Sequence, residues 1–464
     1  MSITIIGGGF AGLSVANALK GKGVNPKEIS VIEAKDKLGG LIDTIQEKGY
    51  TIETGPEGYR GTSIGIQKLI QYAELEDQVI PSTKISESLR YIVKKGKLRK
   101  LPSGPFSAIT TTVFSPKTKI RILLEPFIKP QDIPEETIGS FVSRRFGKGL
   151  DPLVDAFISG VYAGDHHSLV IDYVYPEAKQ LEMKYGSVIK GGIAMMKQLK
   201  KAKKQEQGNT KQEKKEKPPY LLTFKQGLKQ SIDAMAKGTN TLLNQEVVKL
   251  EQEKQKYLVV TKQKTIEAEN VIIATSPNAL QNINVFGEKP KIRTREAKVA
   301  IVSLGYDVKQ FKKPPKGYGF LAPSEEERFV LGILFSSQIF PHKAPEGKTL
   351  LRCFIGGIRH PERAEMSNEK LVQNAIEEVK DLLKAKGEPE YTHVQKHYRG
   401  ISQLEKGHNK VLDYKKQIET QYPGVHFTGL GWTGISTDHL SRQALQIADK
   451  ITNKKMMIPT PQNN

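Results

Sequence analysis

The stretch "ITIIGGGFAG", residues 3–12, decides the reading of this chain. Residues 3–6 are a short apolar run that predicts a strand. Gly7-x-Gly9-x-x-Gly12 follows, and then "LSVANALKGKG", whose apolar residues at 13, 15, 16, 18 and 19 predict a helix. "ISVIEA" (29–34) predicts the next strand, so the N-terminus reads as a βαβ unit. Gly7 allows a tight turn, Gly9 lets backbone approach a pyrophosphate, and Gly12 lets helix and strand pack closely. The helix start at Phe10 and Ala11 then offers unpaired N–H groups and a positive dipole to phosphate. Glu33 ends the second strand about 20 residues on, where a carboxylate binds adenosine ribose hydroxyls. A dinucleotide is expected, and Glu33 suits NAD and FAD alike. The alternative is a glycine-rich turn with no ligand.

The same segment could pass for a signal peptide, but it lacks a basic start and its apolar run is broken by glycines, so it reads as structure. The 464 residues suffice for two or three domains, and 38% hydrophobic with 26% charged content suits a globular chain. Cys353 is the one cysteine, which excludes intrachain disulfides and Cys-rich metal sites and suits a reducing compartment. A net charge of +21 favours polyanions or a substrate bearing carboxylates. No run of 18 apolar residues predicts a membrane span.

Further strands are predicted at 257–261, 270–275, 299–306, 329–335 and 349–355, and a helix at 371–383. "VHFTGLGWTGI" (425–435) reads as a strand entering a glycine turn before a last helix. "TKIRILLEPFI" (118–128) has apolar residues at helical spacing beside Lys119 and Arg121. It reads as an amphipathic helix facing a core, with a helix lying on a membrane surface as the alternative. The lysine-rich run 197–219 can bury no core and is expected to be a mobile surface loop; without interleaved aromatics it does not read as a nucleic-acid tail. The mixture of strands and helices gives an α/β class, α+β overall.

"EAKDKLGG" runs from Glu33 through Ala34 and Lys35 to Gly39-Gly40-Leu41, and "ETGPEGY" carries Gly55-Pro56. With "NQEVVKL" (244–250), "AENVIIAT" (268–275) and "FTGLGWTGIS" (427–436), this series resembles the FAD-dependent flavin amine oxidases. Within them, "LRYIVKKGKLRKLP" (89–102), "FISGVYAGD" (157–165), "GYGFLAPSEE" (317–326), "LGILFSSQIFPHKAP" (331–345) and "FIGGIRHPE" (354–362) resemble the protoporphyrinogen oxidase family over nearly the whole chain. The resemblance implies a Rossmann-like FAD-binding domain (1–80, 220–295, 420–455). It also implies a discontinuous, sheet-based substrate domain (81–100, 296–419) and a helical, membrane-associating domain (101–196), with a flexible insert (197–219) and a tail (456–464). It implies non-covalent FAD, with Val247 at the adenine and Trp432, Gly434, Ile435 and Ser436 at the flavin. Lys37 and Leu41 stand where the family usually has arginine.

The same resemblance implies that Arg90 pairs with a substrate propionate, that Leu321, Leu334 and Phe354 sandwich the tetrapyrrole, and that the backbone of Gly160, Ala163 and Gly164 approaches it. The expected activity is oxidation of protoporphyrinogen IX to protoporphyrin IX in heme biosynthesis, with hydride passing to the flavin and dioxygen yielding hydrogen peroxide. Coproporphyrinogen III is the alternative substrate. An amine oxidase, a carotenoid-type desaturase and a non-catalytic porphyrin carrier are the remaining readings. No general base, no metal and no nucleic acid are expected. The place is cytoplasmic, with an anionic membrane surface as a peripheral partner, and a homodimer is left open. Asp165-His166-His167 completes no metal site on this reading. Adjacent histidines on an extended segment face opposite ways, so they are taken as exposed or capping residues, with Asp165 capping the turn.

Overall fold

A five-stranded parallel sheet anchors the fold, in the order Asn240–Leu242, Ile29–Ile32, Ile3–Ile6, Asn270–Ile273, Val425–Phe427. The computed structural model describes every residue except 105, 106, 108, 109, 207–217 and 457–464. Ile3–Ile6 is central and buried throughout, as an apolar run flanked by parallel partners must be. The helix Phe10–Gly21 buries Leu13, Val15, Ala16, Ala18 and Leu19 against the last helix, Thr437–Met456, which supplies Leu440, Ala444 and Ile447. Each large side chain fully buried there is worth about 1.5–3 kcal/mol. A smaller sheet of Val247–Glu253, Lys256–Thr261, Thr265–Ala268 and Asn284–Val285 lies alongside.

The second large sheet has seven strands, ordered Tyr391–Gln403, Arg295–Asp307, Lys348–Gly356, Val330–Leu334, Gly319–Leu321, Tyr91–Lys94, Lys97–Lys100. Strand alternation divides its residues. Leu351, Cys353 and Ile355 join a core with Leu371, Ala375 and Val379 of the helix Asn368–Leu383. Leu350 points the other way and packs with Tyr50 and Ile52. This sheet therefore presses its second face onto the segment that follows the glycine doublet.

The helices Pro116–Leu123, Ile138–Phe146, Asp151–Tyr162, Pro176–Tyr185 and Val188–Glu206 form a third group. Among the described residues no helix is long and apolar enough to cross a membrane. The core-facing expectation for 118–128 fails. Leu123 is 70% and Phe127 79% exposed, because the helix is short and breaks before a 3-10 turn, Glu125–Phe127. Residues 197–206, expected as loop, continue the helix Val188–Glu206; residues 207–217 and the tail beyond 456 lie outside the described residues.

Candidate active site

At the carboxyl end of the central strand, Gly7 takes φ +110° and donates its N–H to Ile32 O at 2.8 Å. Gly12 packs so tightly that a Cβ there would lie 2.2 Å from Gly7 O. Gly9 caps the first helix with no side-chain acceptor, and no acidic residue occupies the first turn. The N–H groups of Phe10, Ala11 and Gly12 are thus left for an anion, while the Phe10 ring turns inward against Tyr59. The glycine doublet closes over this end. Gly39 bridges Gly9, Gly39 N donates to Gly8 O at 2.9 Å, and a Cβ on Gly40 would sit 3.2 Å from Gly9 Cα. Only a cradle of bare backbone allows that approach.

Glu33 is held by Gly8 N (2.8 Å) and Lys35 N (3.0 Å), one on each carboxylate oxygen, and each oxygen keeps lone pairs for ribose hydroxyls. The chain turns through Ala34 and Lys35, whose carbonyl accepts from Asn244 N at 3.0 Å, and Gln245 N donates to Glu33 O at 2.9 Å. That pairing sets Val247, nearly buried, beside the Glu33 turn. Lys37, in place of arginine, pairs with Asp43 at 2.6 Å. Leu41 O packs under Gly55, where a Cβ would lie 2.3 Å away. The residues present fit a dinucleotide: an uncapped helix start, two facing glycines and an acid at the strand end.

The last helix begins after Gly434-Ile435-Ser436, with Ser436 Oγ accepting from His439 N at 3.1 Å. Trp432 departs from expectation. Its ring is wholly buried against Phe427, and Nε1 donates to Thr275 O at 2.7 Å, so the indole is core and has no open face for a cofactor.

Five residues that the sequence reading missed, Glu53, Glu57, Lys343, Arg352 and His397, lock the Gly55-Pro56 turn. Arg352 donates to Glu53 O (2.7 Å), Gly55 O (2.8 Å) and Glu57 Oε2 (2.5 Å). Lys343 donates to Glu57 O (3.0 Å) and Oε1 (2.8 Å), and lies 3.4 Å from Glu53 Oε1. His397 Nε2 lies 2.6 Å from Thr54 O, and burial lowers the pKa of the ring, which suits a neutral imidazole donating there. Glu53, Glu57, Lys343 and Arg352 are all buried. Burial pushes the Glu57 carboxyl up, but Lys343 and Arg352 outweigh it and hold the group below the usual range. Burial raises Glu53, and the Glu57 charge adds to that shift. One sign was available: Arg352 interrupts the apolar strand "TLLRCFI".

Register brings the expected substrate residues together. Leu321 pairs with Gly332, Gly332 with Phe354, and Leu334 with Arg352. Phe320 and Cys353 point into the core behind the sheet, so Leu321, Leu334, Arg352 and Phe354 share the opposite face. Gly160, on the helix Asp151–Tyr162, lies against Leu321, where a Cβ would come within 2.3 Å of Cδ2. Ala163 ends that helix in the left-handed region (φ 48°) and its carbonyl accepts from Ile358 N at 2.8 Å. A Cβ on Gly164 would meet Gln403 Oε1 at 2.5 Å. Arg90 stacks between Tyr220 (4.1 Å) and Tyr318 (5.1 Å), and its buried Nε has no hydrogen-bond partner. No carboxylate pairs with it among the described residues.

Two expectations for 165–167 are overturned. The segment is a turn, so the rings of His166 and His167 meet at 4.0 Å, tilted by 36°, instead of pointing apart. His166 is 3% exposed, not on the surface. Asp165 does cap: its Oδ1 accepts from His167 N at 2.9 Å.

A family profile described as "Flavin containing amine oxidoreductase" matches residues 10–444. The Bacillus subtilis (strain 168) protein named coproporphyrinogen III oxidase is 27% identical over 97% of this chain and 98% of its own. The mitochondrial protoporphyrinogen oxidase of Nicotiana tabacum is 29% identical over 97% and 94%. A crystal structure from Exiguobacterium sp. 255-15, provisionally named a protoporphyrinogen oxidase, superposes with a TM-score of 0.77 over 98% of this chain and 99% of that one, at 21% identity.

Proposed function

Because this chain belongs to the flavin containing amine oxidoreductases and is an FAD-dependent oxidoreductase, we propose that it oxidises a porphyrinogen, protoporphyrinogen IX first, to the porphyrin in heme biosynthesis. The observation that carries the reading is Arg90, a guanidinium clamped by two tyrosines and without a carboxylate partner among the described residues. A planar fork so held suits a propionate, which it binds bidentately. When bound, FAD would supply a two-electron acceptor, so the six-electron oxidation of a porphyrinogen to the porphyrin would take three rounds, each returning its electrons to one dioxygen as hydrogen peroxide.

The protein's own residues bind, orient and exclude water. Gly7, Gly9, Gly12, Gly39, Gly40 and Glu33 hold the dinucleotide, with Ala34, Lys35, Val247 and the start of the last helix at its two ends. Leu321, Leu334 and Phe354 give the flat substrate an apolar wall, and Gly160 to Gly164 let backbone come close. Arg352, Lys343 and His397 fix the Gly55-Pro56 turn, so the orienting surface is set before substrate arrives. Leu321, Leu334 and Phe354 carry no proton acceptor, and Arg352, which shares their face, is a cation bound to Glu57, so we assign no general base.

Coproporphyrinogen III is the second reading, supported by the name of the Bacillus subtilis relative. Anaerobic mixing of the holoenzyme with each porphyrinogen decides: the preferred substrate bleaches the flavin fastest. A preparation without flavin, or a flavin that neither porphyrinogen bleaches, would refute the proposal.

The exposed Ile120, Leu123, Leu124 and Phe127, beside the exposed Lys190, support a peripheral hold on an anionic membrane from the cytoplasmic side.

A further inference from the structure

Where the chain reverses after Ala163-Gly164, it returns to the start of the helix that it has just left. Asp151, His166 and His167 meet there, each offering one ligand atom, all within 4.8 Å of one another. His166 Nε2 lies 3.6 Å and His167 Nε2 3.9 Å from Asp151 Oδ2. Ligands about a tetrahedral zinc ion at ~2.0–2.1 Å are about 3.4 Å apart, so a small inward movement closes the set. His166 Nε2 is buried, has no hydrogen-bond partner among the described residues and faces this point. Such a nitrogen is costly to leave unmatched.

The surroundings are those of a cation site. On the far side of the His166 ring, Nδ1 lies 3.5 Å from Asp155 Oδ1 and 3.7 Å from Asp165 Oδ1. Ligation through Nε2 needs the proton on Nδ1, turned to one of these carboxylates. Arg359 holds both acids in place, pairing with Asp155 and lying 2.9 Å from Asp165; its Nη2 also donates to Nδ1 at 3.2 Å, a contact that gives way to a carboxylate when an ion takes Nε2. Ser143 Oγ donates to Asp151 Oδ1 at 3.3 Å, which leaves Oδ2 turned to the histidines. The small cavity of about 240 Å³ is lined by Asp151, Asp155, Asp165 and Glu325 against the single cation Arg359. Four carboxylates to one guanidinium on a chain of net charge +21 is a local reversal of sign.

We propose that Asp151, His166 and His167 bind one divalent transition cation, zinc or a close relative, with water completing the shell. The expectation of no metal rested on an extended segment, which would separate the two rings that the turn brings together. The ion ties the first residue of the helix Asp151–Tyr162 to the chain just past its end, and so braces the element that carries Gly160 against Leu321. His166→Ala opens a buried site, so the test rests on the more exposed pair. Tag-free holoenzyme, stripped with chelator, is dialysed against zinc and bound metal is counted; Co²⁺ difference spectra report geometry. One equivalent per chain with tetrahedral cobalt bands is expected. His167→Ala and Asp151→Asn should each weaken binding by at least about tenfold, while His360→Ala leaves it unchanged. Absence of a stoichiometric equivalent in the parent protein, or equal binding in both ligand variants, overturns the site. Flavin content and porphyrinogen turnover are separate readouts, so failure here leaves the proposed activity standing.

Discussion

Replacing Glu57 by Gln tests how the Gly55-Pro56 turn is held. Glu57 pairs with both Lys343 and Arg352, Glu53 lies beside Lys343, and none of the four is more than 5% exposed. Glu57→Gln keeps the shape but leaves one uncompensated positive charge in the interior. Breaking a buried ion pair by removing one partner costs about 3–5 kcal/mol, a large share of the roughly 5–15 kcal/mol that holds a folded protein together. Arg352 also grips Glu53 O and Gly55 O, so the loss should extend to FAD affinity. The assay is urea unfolding of the variant, followed by tryptophan and by flavin fluorescence, with an FAD titration of the stripped protein beside it. A companion, Glu57→Gln with Lys343→Met, removes the orphaned charge and should regain at least half of the loss. If the single variant unfolds within about 0.5 kcal/mol of the parent, or the double variant is less stable than the single, the quartet is not an interdependent unit and the reasoning fails.

Acid titration of the same variants should separate the two glutamates. Glu57 is held low in the folded state, so it contributes stability above the ordinary carboxylate range of about 4.3, lost as pH falls through its folded value; Glu53 is raised and has the opposite sign, losing its contribution as pH rises. In Glu57→Gln the Glu53 pKa should fall, which carbon-labelled NMR of the side chain would read. Arg90→Ala should raise KM for the porphyrinogen by about 10–100-fold, the equivalent of one charged hydrogen bond of ~1.5–3 kcal/mol, with FAD binding unchanged; an unaltered KM removes Arg90 from the site. Gly164→Leu must displace Gln403 and should abolish turnover while flavin remains bound, as absorbance and activity together would show. Leu123→Asp with Phe127→Asp should end flotation with anionic vesicles at low salt; undiminished flotation would place the membrane contact elsewhere.

The dinucleotide cradle was legible because its causes are local: Gly7, Gly9 and Gly12 act within one turn, and Glu33 sits one strand away. Leu321, Leu334 and Phe354 could be named by resemblance, but only register showed that they share a face. The Glu57–Arg352 contact joins residues 295 positions apart, and nothing in either neighbourhood predicts the other. Trp432 was placed at the flavin by resemblance, and a matching segment says where backbone goes and not which way an indole points. His166 misled because adjacency was read as an extended strand, whereas the Asp165 cap bends the chain and folds both rings to one side.

The parallel sheet also sets a timetable for synthesis. Its strand at Asn270–Ile273 gains its outer neighbour only when Val425–Phe427 emerges, and the first helix lacks its packing partner until Thr437–Met456 follows. At ~5–20 residues per second, the interval between residue 273 and residue 427 is roughly 8–30 s. For that long the nascent chain presents an open strand edge and an uncovered helix face. A product stalled before residue 425 keeps both exposed, and so displays the surfaces by which chaperones and proteases recognise unfinished protein.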